Sequence, residues 1–505
     1  MNFANSSRFL LAQLHVDSLA KKPTRRDVRL ALESLPKELD DTYHEALQRI
    51  WDQDEGDVKL ARQVLSWISF AIRPLALNEV QHALAIEPGD TDIDGEALPE
   101  EDLLVSACAG LVTLDRESNI IRLVHHTTQK YFERIRMSQF PDGQISITKT
   151  CLTYLSLDIL AGHCNSDELN NRLQKYPLLR YAALHWGDHA RGGPEEVIQE
   201  LILRFLEDKF KLSCTVQVMH IPKYQRKRYS QQFPRNVTAL QLAASFGLEK
   251  ISSILLEMGA EVAAEDSRGW TAIHRAAEEG YEAVVRLLLQ AGATVDAKTK
   301  NGGTALYRAA RCGHGAVVQL LLQAGAAVDA KDENGWIALH WAAESGHDTV
   351  VQLLLQAGAA VDTMTKSGWT ALHCAAGSGH DTVVQLLLQA GAAVDTTTES
   401  GWTALHCAAG SGHDTVVQLL LEKGADLAVA DKDGWTPLCL ASIYGHVNVV
   451  KLLLEKGADL AVADKVGWTP LCLASKNGHA DIVKLLLEKG ADIAVASNDG
   501  RTPLR

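Results

Sequence analysis

The chain has 505 residues, 46% of them apolar and 22% charged, with a formal net charge of −14. This composition belongs to a globular protein of several cores, and its acidity argues against a general nucleic-acid or anionic-membrane binder. No apolar run approaches the ~18 residues of a membrane span. Phe9-Leu10-Leu11 lacks the cationic start of a cleavable leader, so the nine cysteines read as reduced cytosolic thiols.

Residues 1–56 predict helices without a core of their own. Residues 9–16 form one apolar face, Thr24 caps a helix through Val28, Leu32 and Leu35 to Pro36, and Asp41-Thr42 starts another through Leu47 and Ile50. So many apolar faces on so little chain imply packing against something upstream. Residues 57–137 predict one compact unit. Leu60, Val64, Leu65, Ile68 and Ile72 recur at helical spacing up to Pro74, 77–84 is a second helix, and 102–110 a third after an acidic loop. Residues 111–114 and 120–124 flank a polar turn as a hairpin does. Three helices and a hairpin make a winged-helix-like domain. Its third helix carries no Lys or Arg, and phosphate contacts supply most DNA affinity, so the unit reads as a packing module. Residues 147–212 predict a helical linker domain, with helices over 147–160, 178–189 and 197–206, the last opened by Pro194-Glu195-Glu196. Residues 213–235 read as a basic connector with Lys223, Arg226, Lys227, Arg228 and Arg235, either a solvated linker or a nuclear signal.

From residue 236 a period takes over. Gly269, Gly302, Gly335, Gly368, Gly401, Gly434, Gly467 and Gly500 lie 33 residues apart, each followed closely by Thr-Ala-Leu, Thr-Pro-Leu or a near variant. Thr238-Ala239-Leu240 aligns as a copy without the Gly. Period and core resemble the ankyrin repeat, with eight full copies and a truncated ninth in 236–505. Thr271, Thr370, Thr403, Thr436 and Thr469 are placed to cap each first helix, and Gly280, Gly313, Gly346, Gly379, Gly412, Gly445 and Gly478 to end it in a left-handed conformation. Residues 369–388 and 402–421 are identical, which points to internal duplication. No polar capping repeat follows residue 505, so the last full repeat is expected to fray. The fold class expected is mainly α: a helical segment, a winged-helix-like domain, a helical linker domain and an ankyrin solenoid.

More specific residues lie upstream: Leu35-Pro36-Lys37-Glu38-Leu39-Asp40-Asp41-Thr42-Tyr43, Val64-Leu65-Ser66-Trp67-Ile68, and Arg122-Leu123-Val124-His125-His126-Thr127-Thr128-Gln129-Lys130-Tyr131-Phe132. These are similar to the segments that follow the nucleotide-binding module in fungal NACHT–ankyrin proteins, relatives of NOD-like immune receptors. The resemblance implies the sensor and linker half of a receptor, beginning at Met1 just after the nucleotide domain. The sequence has no G-x-x-x-x-G-K-[ST] and no Gly-Lys dipeptide, so no nucleotide cofactor is expected. In that family a winged-helix His followed four positions later by Gln contacts ADP. His125 and Gln129 keep the spacing, and Lys130 departs from the family's acid. Without a nucleotide domain, His125 is expected to cap the hairpin.

No nucleophile elbow, H-E-x-x-H or paired-Cys motif occurs, so no catalytic, cofactor or metal residue is assigned. His274, His340, His373 and His406, and the series from His314 to His479, read as structural parts of the repeat. Trp270, Trp336, Trp369, Trp402, Trp435 and Trp468 form a ladder at the hairpin bases, either packing or a partly exposed aromatic strip. Candidate contacts are first-helix positions at which repeats differ: Arg275, Glu278, Glu279, Arg308, Arg311, Trp341 and Glu344, then Cys374, Cys407, Leu440, Ile443, Tyr444, Leu473 and Lys476. They grade from charged through small to apolar. The function expected is recognition of protein partners on the concave face and hairpin tips, in the cytoplasm or nucleus, with no nucleic acid, membrane or small-molecule substrate. The alternatives are a fragment of an ATP- or GTP-dependent switch and a nuclear regulator.

Overall fold

The computed structural model describes Thr24, Arg26 and residues 39–222, 231–498, 500, 502 and 503. The helices expected within 9–35 and the connector cations at 223–228 lie outside the described residues. The chain forms two compact units, Met1–Ala239 with Leu248–Glu257, and Leu240–Gly247 with Met258–Arg505.

In the first unit, the helix Leu39–Trp51 buries Tyr43, Ala46, Leu47 and Ile50, a single helical stripe. Its partners lie downstream. It packs on Glu55–Phe70 and His126–Gln139; Tyr43 Oη lies 2.6 Å from Thr127 Oγ1. The winged-helix core is then Glu55–Phe70, Leu77–Ala85 and Glu101–Ala107 with the antiparallel pair Val112–Asp115 (β2) and Ile120–Leu123 (β3). A two-residue strand, Leu75–Ala76 (β1), joins β3, giving the order β1-β3-β2. The first helix stops at Phe70, which leaves Ile72 50% exposed and outside the core stripe. The third stops at Ala107, because Ala109 and Gly110 take φ of 46° and 83°. Buried Glu79 ties the β1 turn together. Its Oε2 accepts from Ala76 N–H at 2.8 Å, and both oxygens receive Arg73, at 2.6 and 2.9 Å.

Downstream, the expected 147–160 helix is Gly143–Leu155 followed by a 3-10 turn, Asp158–Leu160. Leu179–Ala190 lies close to expectation, whereas Ser166–Lys175 was not anticipated. Nor was Lys209–Met219, which moves residues 213–219 out of the connector and into the core. Asp208 caps this helix, accepting from Phe210 and Lys211 N–H at 3.0 and 3.1 Å. Its buried residues run consecutively from Cys214 to Val218, so it shows no amphipathic period. Gln217 accepts from Cys164 N–H at 3.0 Å and donates to Cys164 O at 2.6 Å. Buried Glu195 accepts from Ile251 N–H at 2.7 Å, near the start of Glu249–Glu257.

In the second unit, helix pairs recur from Ala272–Glu279 and Glu282–Gln290 to Pro470–Lys476 and Ala480–Glu488. First helices bury alanines such as Ala276 and Ala277, and second helices bury Val284, Val285, Leu288 and their equivalents. No single pair encloses these faces, and stacking does. Histidines at two repeat positions clamp the stack, both present in the repeats of His340, His373 and His406 and one of the two elsewhere from His274 to His479. His274 Nδ1 accepts from Thr271 N–H at 3.2 Å and Nε2 donates to Ala297 O at 2.9 Å, in the hairpin that leads to the next repeat. His340, His373 and His406 keep the Nδ1 bond and turn Nε2 to a carbonyl six residues further along the same hairpin, that of Trp369, Trp402 and Trp435. At position 337, where Ile replaces the capping Thr, His340 still accepts the backbone N–H at 3.2 Å. The second histidine reaches backward. His314 Nε2 donates to Glu278 O at 2.8 Å, and the same bond recurs through His479 to Ile443 O at 3.0 Å. Its ring lies over the glycine that follows the preceding first helix. A Cβ on Gly313 would stand 2.7 Å from the His347 ring, and φ there is +79°.

Two predictions follow from these clamps. Gly313→Ala meets both the His347 ring and a left-handed backbone, whereas Gly325→Ala (φ +87°, nothing within 4 Å) meets only the backbone. Urea unfolding should show a loss of ~1–2 kcal/mol for Gly325→Ala and a further ~1–3 kcal/mol for Gly313→Ala. Equal losses would remove the ring contact from the account. Burial pushes His274 and His340 down to about 4. Unfolded rings take up a proton below pH 6.5 and the folded ones only near 4, so their stability is whole above 6.5 and lost between those values. The loss is ~3 kcal/mol per ring at full titration. Unfolding midpoints at pH 7 and pH 4 should differ accordingly, and an unchanged midpoint would contradict neutral buried rings.

Candidate partner-binding surface

The charged end of the candidate surface is largely used up in packing. Arg275 Nη2 pairs at 2.7 Å with Asp266, whose side chain is fully buried. Asp266 also accepts from Arg268 N–H at 2.7 Å and Trp270 N–H at 3.0 Å. The Arg275 and Arg308 guanidinium carbons stand 4.5 and 4.1 Å from the Trp270 ring centroid. Arg308 also lies 5.1 Å from the Tyr307 ring and 3.9 Å from Glu278, and its side chain is 13% exposed. Arg275 and Arg308 therefore hold the Trp270 corner together, and they are corrected from partner contacts to structural residues. Glu279 and Arg311 remain exposed.

The tryptophan ladder is neither sealed nor open. Trp270 is buried, and Trp336, Trp369, Trp402, Trp435 and Trp468 are half-buried. Trp402 and Trp435 donate their indole N–H to Asp431 and Asp464, both at 2.9 Å. At the places corresponding to those acids, Trp336 and Trp369 meet Thr365 and Thr398, and their indole N–H groups have no acceptor among the described residues. Trp341 packs tilted against Trp336 at 4.6 Å and lies edge-on to Tyr307 at 5.2 Å, with the Arg311 guanidinium 4.8 Å from its ring.

Between these elements lies a groove of about 580 Å³. Trp336, Trp369, Trp402 and Tyr444 provide its aromatic lining, and Glu344 its charged group. The space exists because Gly377 and Gly410 occupy the repeat position of Glu344, and Ser378 and Ser411 that of Tyr444. Cys374 and Cys407 also line it but are 3% exposed, and burial pushes the Cys407 thiol up to about 12. Leu440 and Leu473 are 0% and 4% exposed, so they leave the contact surface because they fill the interface between first helices. Tyr444 is 55% exposed. Glu344 is exposed and has no ion pair among the described residues. The groove thus brings together four of the residues expected at the site, exposed Glu344 and Tyr444 and buried Cys374 and Cys407, with Trp341 behind its Trp336 wall. Glu278, Glu279, Arg311 and Lys476 do not line it; Lys476 sits 4.4 Å from the Trp468 ring. Gly377, Ser378, Gly410 and Ser411 were not anticipated, although their signal was present in the duplicated Ala-Ala-Gly-Ser-Gly.

In the first unit, a cleft of about 550 Å³ is lined by Arg73, Arg122, His125, His126 and Gln129, among others. His125 caps His126–Gln139, accepting from Thr127 N–H at 3.3 Å, so it caps a helix rather than the hairpin. Burial and the neighbouring His126 lower its pKa. Gln129 donates to Glu133 at 3.2 Å, and Arg122 pairs with Asp115.

The helix-pair stack with its histidine clamps defines the class of protein. Ankyrin repeats match residues 157–299, 294–365, 357–431 and 424–497, and the chain belongs to the ankyrin-repeat family. Residues 51–141 match the winged helix domain of GPI inositol-deacylase. Among characterised proteins, azaphilone pigments biosynthesis cluster protein L of Monascus ruber is 29% identical over 264 residues, covering 46% of this chain and 54% of the relative. The chain therefore spans about half the length of that relative. Ankyrin repeats are interaction modules, and the second unit is one. Among the described residues no helix is long and apolar enough to cross a membrane.

The packing roles separate two neighbouring arginines. Arg308→Ala should cost ~2–3 kcal/mol through lost stacking on Trp270 and Tyr307, while exposed Arg311→Ala should stay within ~0.5 kcal/mol. Denaturant titration of both variants measures the difference, and equal losses would return Arg308 to the set of free surface residues.

Proposed function

We propose that the repeats bind a segment of a protein partner in the groove between Trp336 and Tyr444. The observation that carries this reading is the groove itself. Regular stacking would fill each first-helix position with a side chain, and here two identical repeats leave the positions empty between aromatic walls. Half-buried tryptophans around an open floor are the kind of residues that dominate binding energy in interfaces.

The finer reading is that this module is the ligand-sensing and scaffold half of a NACHT–ankyrin, immune-receptor-like signalling protein working in the cytoplasm. The upstream segments around Tyr43, Trp67 and His125 support it, as does the winged-helix match. In this scheme residues 57–137 and 147–219 are the winged-helix and helical linker domains, residues 220–235 the connector, and the repeats begin at 236. His125 and the cleft around it would face a nucleotide domain in the assembled receptor. A second reading has its own support: the Monascus ruber relative is by name a pigment biosynthesis cluster protein, and a scaffold role in such a cluster would use the same groove.

Gly410→Arg tests the proposal. A Cβ at 410 would meet Leu440 at an ordinary 3.8 Å, so the backbone there accepts a side chain and the longer arginine enters the groove. Affinity capture with the full chain, followed by mass spectrometry, should retain partners on the parent protein and lose them on Gly410→Arg. Circular dichroism serves as the folding control. Identical captured sets would sink the groove as the binding site.

A further inference from the structure

The groove's lining narrows the chemistry of its occupant. It holds three indole rings, a phenol and one carboxylate, with no Lys, Arg or His. Aromatic faces attract cations through the negative charge of the ring face. Glu344 adds a formal negative charge that no residue of the chain neutralises among those described. The surrounding repeats reinforce the sign, with 20 Lys and Arg against 30 Asp and Glu from residue 236 onward. An anionic ligand would meet no counter-charge, and a purely apolar one would bury the Glu344 carboxylate without a partner. We propose that the groove receives an extended basic peptide, with the head group of one lysine or arginine among the Trp336 and Trp369 rings and the Glu344 carboxylate. This assignment rests on the groove being the binding site, as argued above.

The length of the groove favours a peptide over a free small cation. Trp336, Trp369 and Trp402 sit one repeat apart. Helices packed side by side are spaced about 8–10 Å, so three consecutive repeats span about five or six residues of extended chain at ~3.3 Å each. The serines of the lining and the unpaired indole N–H groups of Trp336 and Trp369 are hydrogen-bonding partners for its backbone. The aromatic rings discriminate by hydration, since a diffuse guanidinium sheds water more readily than an ammonium.

The probe is a set of fluorescein-labelled heptapeptides, degenerate at all positions except the centre, which is fixed as Lys, Arg, norleucine or Glu. Fluorescence anisotropy with the full chain should give affinities at least tenfold higher for the Lys or Arg set than for norleucine, and weakest for Glu. Glu344→Gln, an isosteric change on an exposed residue, should lower the affinity of the cationic set about three- to tenfold and leave the norleucine set unchanged. Gly377→Arg places a cation in the groove. Its Cβ would stand 3.6 Å from Cys407 Cβ, an ordinary contact, and the variant should abolish binding of the cationic set. If the norleucine or Glu set binds as well as Lys and Gly377→Arg still blocks it, the groove stands and the cation assignment falls. Equal binding of every set by parent and Gly377→Arg protein overturns both. No binding of any set overturns the basic-peptide assignment and leaves the groove to the capture experiment on Gly410→Arg.

Discussion

The repeat unit depends on a bond and a void that require each other. The histidine opening six of the second helices donates to a carbonyl at the end of the preceding first helix, as His314 does to Glu278 O and His413 to Gly377 O. For the ring to reach that carbonyl, the residue beneath it must lack a Cβ, and it must also turn the chain out of the helix with positive φ. Glycine alone meets both conditions without strain. Because the donor sits 36 residues from its acceptor at each of six steps, one inserted residue between them would break the bond and lift the ring. The 33-residue spacing keeps that geometry at every one of the six steps. In four repeats the other histidine binds forward, to the hairpin that follows, and the repeats of His340, His373 and His406 are held from both sides.

A lattice this regular determines where variation is tolerated. Positions that touch a neighbouring repeat are occupied by the same residue or a close substitute: alanine on first helices, Val-Val and leucine on second helices. Variation survives at the exposed end of the first helix and at the hairpin base, and the two regions meet at the groove. Variation alone does not make a contact residue, however. Arg275 and Arg308 vary along the array, and both are engaged by Trp270 and its neighbours. The charge that stands beside open space belongs to Glu344.

The repeats and their helix boundaries were legible in the sequence because a period of 33 over eight copies leaves little to tertiary context. The winged helix was legible in outline through the spacing of Val64, Leu65 and Ile68 and the turn at 115–119. What escaped notice had no local signal. Lys209–Met219 is buried all round from Cys214 to Val218 and shows no amphipathic period there, so its residues passed for connector. β1 is two residues long, and its strand character comes only from pairing with Ile120 and Ile121. The fate of Arg308 depends on a ring 38 residues upstream. The groove is the hardest case, since it consists of side chains that are missing, and a Gly or Ser reads the same whether a neighbour fills the space or leaves it open.

Duplication explains how such a site can arise. The two identical stretches, 369–388 and 402–421, supply the floor twice over, while the residues that bound it are unique: Trp341 and Glu344 in the repeat before, Tyr444 in the repeat after. Copying a small-floored repeat lengthens the floor by one helix spacing and brings another tryptophan, yet leaves both ends as they were. Length and chemistry are thereby separated. The number of copies sets how many residues of a bound segment the groove spans, and the flanking repeats decide the charge and direction in which that segment lies.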